Sequence, residues 1–143
     1  MHLLLLGCTG FVGRELVPAL LEANHQLTLV SRRLARGYEA ERADGRLKWL
    51  QLDPAKTGSW QNPELVKAIS TADAVVNLAG EPIAEKRWTA VHRKVLEDSR
   101  LDTTRLLVDA LAASTSPPAV LINASAIGFF GTSLTAKFVE SSP

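Results

Sequence analysis

The chain has 143 residues, of which 46% are hydrophobic and 22% charged, with a formal net charge of +1. That length fits one domain with a real core, and the balanced charge gives no basis for a nucleic-acid or membrane-surface partner. The single cysteine, Cys8, excludes an intrachain disulfide and points to a reducing, cytoplasmic setting.

Residues 3–6 are four leucines, too short a run for a membrane span and without the preceding basic region of a secretory signal. An apolar run without alternation predicts a strand buried on both faces of a parallel sheet. It opens into Gly7-Cys-Thr-Gly-Phe-Val-Gly13, a Gly-x-x-Gly-x-x-Gly spacing. In a dinucleotide loop, Gly7 takes the tight turn and Gly10 lets backbone approach a pyrophosphate. Gly13 lets the following helix pack on the strand, with its free N–H groups aimed at phosphate. The alternative is a glycine-rich turn with no ligand. Cys8 reads as packing, although a helix N-terminus can activate a thiol.

Apolar positions Phe11, Val12, Leu16, Val17, Leu20 and Leu21 predict a helix from about 11 to 23, with Pro18 as a possible kink. After an Asn24-His25 turn, residues 26–30 form the second predicted strand, which ends in Ser31-Arg32-Arg33. At this place in a dinucleotide-binding half, an acid accepts from a ribose 2′-hydroxyl and an arginine suits a 2′-phosphate. Two guanidinium groups, with Arg36 near and no acid before Glu39, favour NADP over NAD; the other reading is a solvated basic loop.

Residues 34–46 read as a polar connection closed by an Asp44-Gly45 turn, and residues 47–52 as a third strand halted by Asp53-Pro54. Asp53 either accepts from an adenine amino group or caps the next turn. A short helix is predicted over 60–70, with Asn62-Pro63 near its start. Residues 72–80 form a fourth strand running into the small-residue turn Leu78-Ala79-Gly80, a floor on which a cofactor can lie. A long helix follows over about 89–113, with Val91, Val95, Leu96, Leu101, Leu106, Leu107, Val108 and Leu111 along an apolar face. Residues 119–125 make a fifth strand ending at Ser125. Strands alternating with helices predict an α/β fold with a doubly wound parallel sheet of Rossmann type, its ligand at the strands' C-terminal edge. Each candidate binding cluster falls at such an edge. No metal-ligand set is assigned.

The loop 7–13 resembles the Thr-Gly-x-x-Gly-x-x-Gly loop of extended short-chain dehydrogenases/reductases, departing at Leu6 and Cys8. More narrowly, Val76-Asn-Leu-Ala-Gly-Glu-Pro-Ile83, Arg87-Trp88, Asp98-Ser-Arg-Leu-Asp-Thr-Thr-Arg-Leu-Leu107 and Ala124-Ser-Ala-Ile-Gly-Phe-Phe-Gly131 are similar to NAD-dependent epimerase/dehydratase-like proteins of the nucleoside-diphosphate-sugar epimerase type. Some of these carry a cell-division-inhibitor label. The resemblance runs over essentially the whole chain. It implies that Thr9, Gly10, Phe11, Val12 and Gly13 hold a pyrophosphate and that Ser31 and Arg32 hold a 2′-phosphate. Leu78 and Ala79 line the dinucleotide path, and Arg100 reaches back to it from the long helix.

That family performs hydride chemistry with a Tyr-x-x-x-Lys pair and a hydroxyl after the fifth strand; the tyrosine moves the substrate proton and the lysine lowers its pKa. Tyr38 is the one tyrosine here and has no lysine four places on. The hydroxyl position falls on Ala126, with Ser125 one place early as the only catalytic candidate. The chain therefore reads as residues 1–143 of a longer protein, a C-terminally truncated NADP-binding Rossmann domain without its substrate-binding part. An exposed sheet edge would invite a homo-oligomer. Two functions compete: an NADP-dependent reductase or epimerase acting on a nucleotide-sugar or small carbonyl substrate, and a non-catalytic NADP(H)-sensing or scaffold module. A plain mononucleotide binder is disfavoured by the basic end of the second strand.

Overall fold

Leucines 3–6 can all be buried only in a strand covered on both faces, and that is where they lie, with Leu4, Leu5 and Leu6 fully excluded from solvent. A computed structural model describes residues 1–34, 37–125 and 131–142. Its centre is β1 (His2–Leu6), followed by α1 (Phe11–Glu22), β2 (Gln26–Ser31), α2 (Glu39–Ala43) and β3 (Leu47–Gln51). A 3-10 turn at Thr57–Gln61 leads into α3 (Pro63–Thr71), β4 (Ala74–Asn77), α4 (Ala90–Ala113) and β5 (Val120–Asn123). The five strands form one sheet in the order β3-β2-β1-β4-β5, every pairing parallel.

Alternate side chains of β1 go to opposite layers. Leu3 and Leu5 pack with Val17 and Leu21 of α1, together with Leu27, Leu29 and Val76. Leu4 and Leu6 pack with Leu65 and Ile69 of α3 and with Leu106 and Leu107 of α4. The sheet is thus doubly wound, as the strand–helix alternation predicts. The chain leaves β1 for β2 on one side and later returns to β4 on the other, so the β1–β4 crevice is the switch point of the topology.

Several local readings change. The polar connection contains the short helix α2, whose first turn holds Glu39 and Glu41 and whose last turn holds Arg42, both favourable to the helix dipole. Trp60 belongs to the 3-10 turn rather than to α3, which starts at Pro63 with Asn62 accepting from the N–H groups of Glu64 and Leu65 at 2.9 and 3.2 Å. Helix α1 runs through Pro18. Phe11 and Val12, counted in its apolar stripe, are exposed (91% and 56%), because the stripe that meets the sheet is Gly13, Val17 and Leu21. On α4 the buried side chains are His92, Leu96, Thr103, Leu106 and Leu107, whereas Val91, Val95, Leu101 and Val108 face outward. The fourth strand stops at Asn77, so Leu78 to Gly80 are loop. All four residues of β5, which among the described residues pairs with β4 alone, are exposed.

Candidate functional site

The glycine loop divides by job. Gly7 has φ +74°, and a Cβ there would stand 2.4 Å from the Cα of Ala79. The left-handed turn and the approach of the β4 end both demand glycine. Gly13 faces the loop itself: a Cβ would lie 2.0 Å from the carbonyl oxygen of Cys8. At Gly13 the start of α1 therefore packs on the loop backbone at Cys8, while Val17 and Leu21 farther along carry its contact with β1. Gly10 is different. It is exposed, has extended backbone angles, and a Cβ would meet nothing nearer than the Gly7 carbonyl oxygen at 3.7 Å. It caps α1 with no side-chain hydrogen bond, so among the described residues the first N–H groups of the helix receive no side-chain acceptor. The exposed Phe11 and Val12 flank them, and Thr9 is half-buried in the loop.

At the end of β2, Ser31 is buried and its hydroxyl is engaged twice. It donates to the Arg33 carbonyl and accepts from Trp49 Nε1 at 2.9 Å. Trp49 stands on β3 and meets Tyr38 with ring centroids 6.3 Å apart. The serine thus fixes the Ser31–Arg33 turn, while Arg32 and Arg33 project as exposed cations. Arg32 Nη2 pairs with Glu81 Oε2 at 3.1 Å, and Lys86 Nζ holds the other oxygen of Glu81 at 3.1 Å. These two cations keep the Glu81 carboxyl below its ordinary range.

Asn77, at the end of β4 and buried, was not singled out from sequence. Its Oδ1 accepts from the Ala79 N–H at 3.1 Å, and its Nδ2 donates to Asn123 Oδ1 of β5 at 2.7 Å. It shapes the Leu78–Ala79 turn that fits against Gly7. The next two residues are clamped from α4. Ser99 Oγ accepts from the Glu81 N–H at 2.9 Å, and Arg100 Nη1 donates to the Glu81 carbonyl at 3.1 Å and to the Leu96 carbonyl at 3.1 Å. The Arg100 guanidinium lies over Gly80, 3.0 Å from where a Cβ would be. Arg100 thus meets the candidate site through the Gly80–Glu81 backbone.

The remaining candidates make other contacts, although the end of β5 lies beside the β4 turn, where the Ala124 N–H donates to the Asn77 carbonyl at 2.9 Å. Asp53 Oδ1 accepts from the Ala55 N–H at 3.1 Å, which is the turn-capping alternative. Ser125 is exposed just past β5. Arg36 and Ala126 lie outside the described residues. Tyr38 stands beside β3, at the sheet edge opposite β5, and burial raises its phenol pKa. Burial also pushes the Cys8 thiol up to about 11, outweighing a backbone hydrogen bond that lowers it, and the buried side chain fits the packing reading of Cys8.

Glycine loop, basic β2 end and β4 turn therefore meet around the switch point, and several known proteins are similar to the chain that carries them. The human epimerase family protein SDR39U1 is 34% identical over 145 residues, covering 100% of this chain and 43% of that protein. Its crystal structure (isoform 2) with NADPH superposes at a TM-score of 0.75 and 32% identity, again over 100% of this chain and 42% of that one. The chloroplastic SDR39U1 homolog of Arabidopsis thaliana is 35% identical over 139 residues, 96% of this chain and 38% of its own length. The structure of MoeE5 in complex with UDP-glucuronic acid and NAD, at 21% identity and a TM-score of 0.70 over 93% of this chain and 39% of its own, shares the fold. The chain spans about two fifths of the length of these relatives. A profile of the NAD dependent epimerase/dehydratase family matches residues 3–143. With the doubly wound sheet and the glycine loop at its switch point, that match places the chain in the NAD dependent epimerase/dehydratase family.

Proposed function

We propose that this chain is the dinucleotide-binding portion of an extended short-chain dehydrogenase/reductase, with NADP(H) preferred to NAD(H). The observation that carries the reading is the division of labour among the glycines. Gly7 and Gly13 are sealed against backbone, while Gly10 leaves the uncapped start of α1 open at the switch point. A helix start of this kind suits a pyrophosphate, whose charge the N–H groups and the helix dipole both favour. In this reading the backbone from Thr9 to Gly13 holds the pyrophosphate, and Arg32 and Arg33 supply positive charge for a 2′-phosphate. Ser31 positions their turn through its bonds to Arg33 and Trp49. Leu78, Ala79 and Gly80 form the floor, and Arg100 steadies it. The bound nicotinamide would supply hydride transfer.

The same reading makes the substrate a nucleotide-linked sugar or another small carbonyl or alcohol compound and the setting cytoplasmic, with β5 as the edge through which copies could pair. A second reading, that this chain binds or senses NADP(H) without catalysing a reaction, is favoured by one observation. The single tyrosine lies beside β3, at the sheet edge opposite the strand that Ser125 follows, and has no lysine four places on. Titration with NADPH and NADH, followed by cofactor fluorescence, tests the binding claim. NADPH is expected to bind more tightly, and Arg32→Ala to remove most of the difference. Equal affinities in the unsubstituted chain would refute the preference.

A further inference from the structure

Strands β2 and β4 are not neighbours, because β1 lies between them. The Arg32–Glu81 pair nevertheless joins residues that follow these two strands, 49 positions apart in sequence, past the end of β1 where the glycine loop begins. Its partners are unequal. The Glu81 side chain is only 11% exposed, whereas those of Arg32 and Lys86 are 60% and 63% exposed. Ser99 and Arg100 clamp the Glu81 backbone on both its N–H and its carbonyl. The acid is therefore the fixed member and the two cations are the movable arms. Each cation takes a different carboxylate oxygen, so withdrawing Arg32 leaves Glu81 in an ion pair with Lys86 and avoids a lone, half-buried charge.

We propose that Glu81 is an internal competitor for Arg32 and thereby sets how strongly the chain favours a phosphorylated over an unphosphorylated dinucleotide. The inference rests on the cofactor reading above. A 2′-phosphate carries nearly two negative charges and three acceptor oxygens, so it can take a guanidinium from a carboxylate. A ribose hydroxyl has no charge with which to do so. Binding of NADPH then exchanges one Arg32 partner for another, and Lys86 retains the displaced acid. Binding of NADH leaves the pair as it is.

The test is a dissociation constant for NADPH and for NADH in the unsubstituted chain, Glu81→Gln, Lys86→Ala, Arg32→Ala and Arg32→Ala/Glu81→Gln. Removing the competitor in Glu81→Gln is expected to tighten NADPH about two- to five-fold, the range of a partly exposed ion pair, and to leave NADH unchanged. Lys86→Ala, which leaves Glu81 dependent on Arg32, is expected to weaken NADPH. The gain from Glu81→Gln should vanish in the Arg32→Ala background. A role confined to supporting the turn predicts weaker binding of both cofactors in both single variants. That result overturns the assignment, as does a gain shared by NADH or one that survives without Arg32. Should Glu81→Gln not fold, Lys86→Ala decides: weaker NADPH with NADH unchanged supports the assignment, and weakening of both cofactors, or of neither, overturns it. Failure of both dinucleotides to bind the unsubstituted chain would overturn the cofactor reading itself, and this assignment with it.

Discussion

Alanine at each of the three loop glycines separates folding from binding. At Gly13 the new methyl would sit 2.0, 2.3 and 2.4 Å from the carbonyl oxygen, carbonyl carbon and Cα of Cys8, where ordinary contacts begin near 3.4 Å. The obstacle is backbone of a buried residue, so no rotamer relieves it, and α1 must retreat by more than an ångström. Better helix propensity returns about 1 kcal/mol, but overpacking of this severity costs about 3 kcal/mol or more. A net loss of at least about 2 kcal/mol is expected. Gly7→Ala adds a left-handed backbone cost of about 1–2 kcal/mol to contacts of 2.4–2.7 Å with Leu78 and Ala79. Gly10→Ala meets only an ordinary contact, the Gly7 carbonyl oxygen at 3.7 Å, and keeps extended backbone angles. It should therefore cost under about 1 kcal/mol, mostly as a poorer N-cap. Its methyl would project where a pyrophosphate must approach, and NADPH affinity should fall about ten-fold, roughly 1.4 kcal/mol. Urea unfolding followed by tryptophan fluorescence, alongside NADPH titration, reads both quantities. Equal destabilisation by Gly10→Ala and Gly13→Ala, or a Gly13→Ala variant of unchanged stability, would refute the reasoning.

Other consequences are narrower. The folded Cys8 thiol is raised from its ordinary 9.0 to about 11, so the native state keeps its proton while the unfolded chain loses it. The associated stability is complete below pH 9 and declines by about 2–3 kcal/mol as pH rises towards 11; in urea melts at pH 7.5 and 10.5, Cys8→Ala should lose less than the unsubstituted chain, and an identical loss would refute this. Asn77→Ala removes the bonds to Ala79 and Asn123 and leaves the Ala79 N–H without that acceptor. A loss of about 2 kcal/mol is expected, with faster hydrogen exchange at Ala79; unchanged protection there would contradict the role given to Asn77.

Local pattern was enough for much of the fold. Four consecutive leucines, glycines at three-residue spacing and the capping pair Asn62-Pro63 each report on a few adjacent residues. β1, the loop and the start of α3 appear where those signals lie. The same signals misjudged faces. Phe11 and Val12 continue the apolar spacing of α1 but precede the point at which the helix meets the sheet, and they are exposed. Four apolar residues of α4 likewise face away from the layer that buries Leu96, Leu106 and Leu107. Asp53 offered two roles from sequence, an adenine contact or a turn cap, and its bond from the Ala55 N–H is a turn cap.

By itself, the sequence determined that a parallel doubly wound sheet forms and that its first turn is built for close backbone approach. Periodicity and glycine placement depend only on neighbours along the chain. Tertiary structure alone decided which glycine answers to which contact, that Trp49 fixes Ser31, and that Arg32 faces Glu81. Those contacts depend on strand order. With β1 between β2 and β4, residues far apart in the chain arrive at opposite sides of one loop, and no local signal encodes their distance.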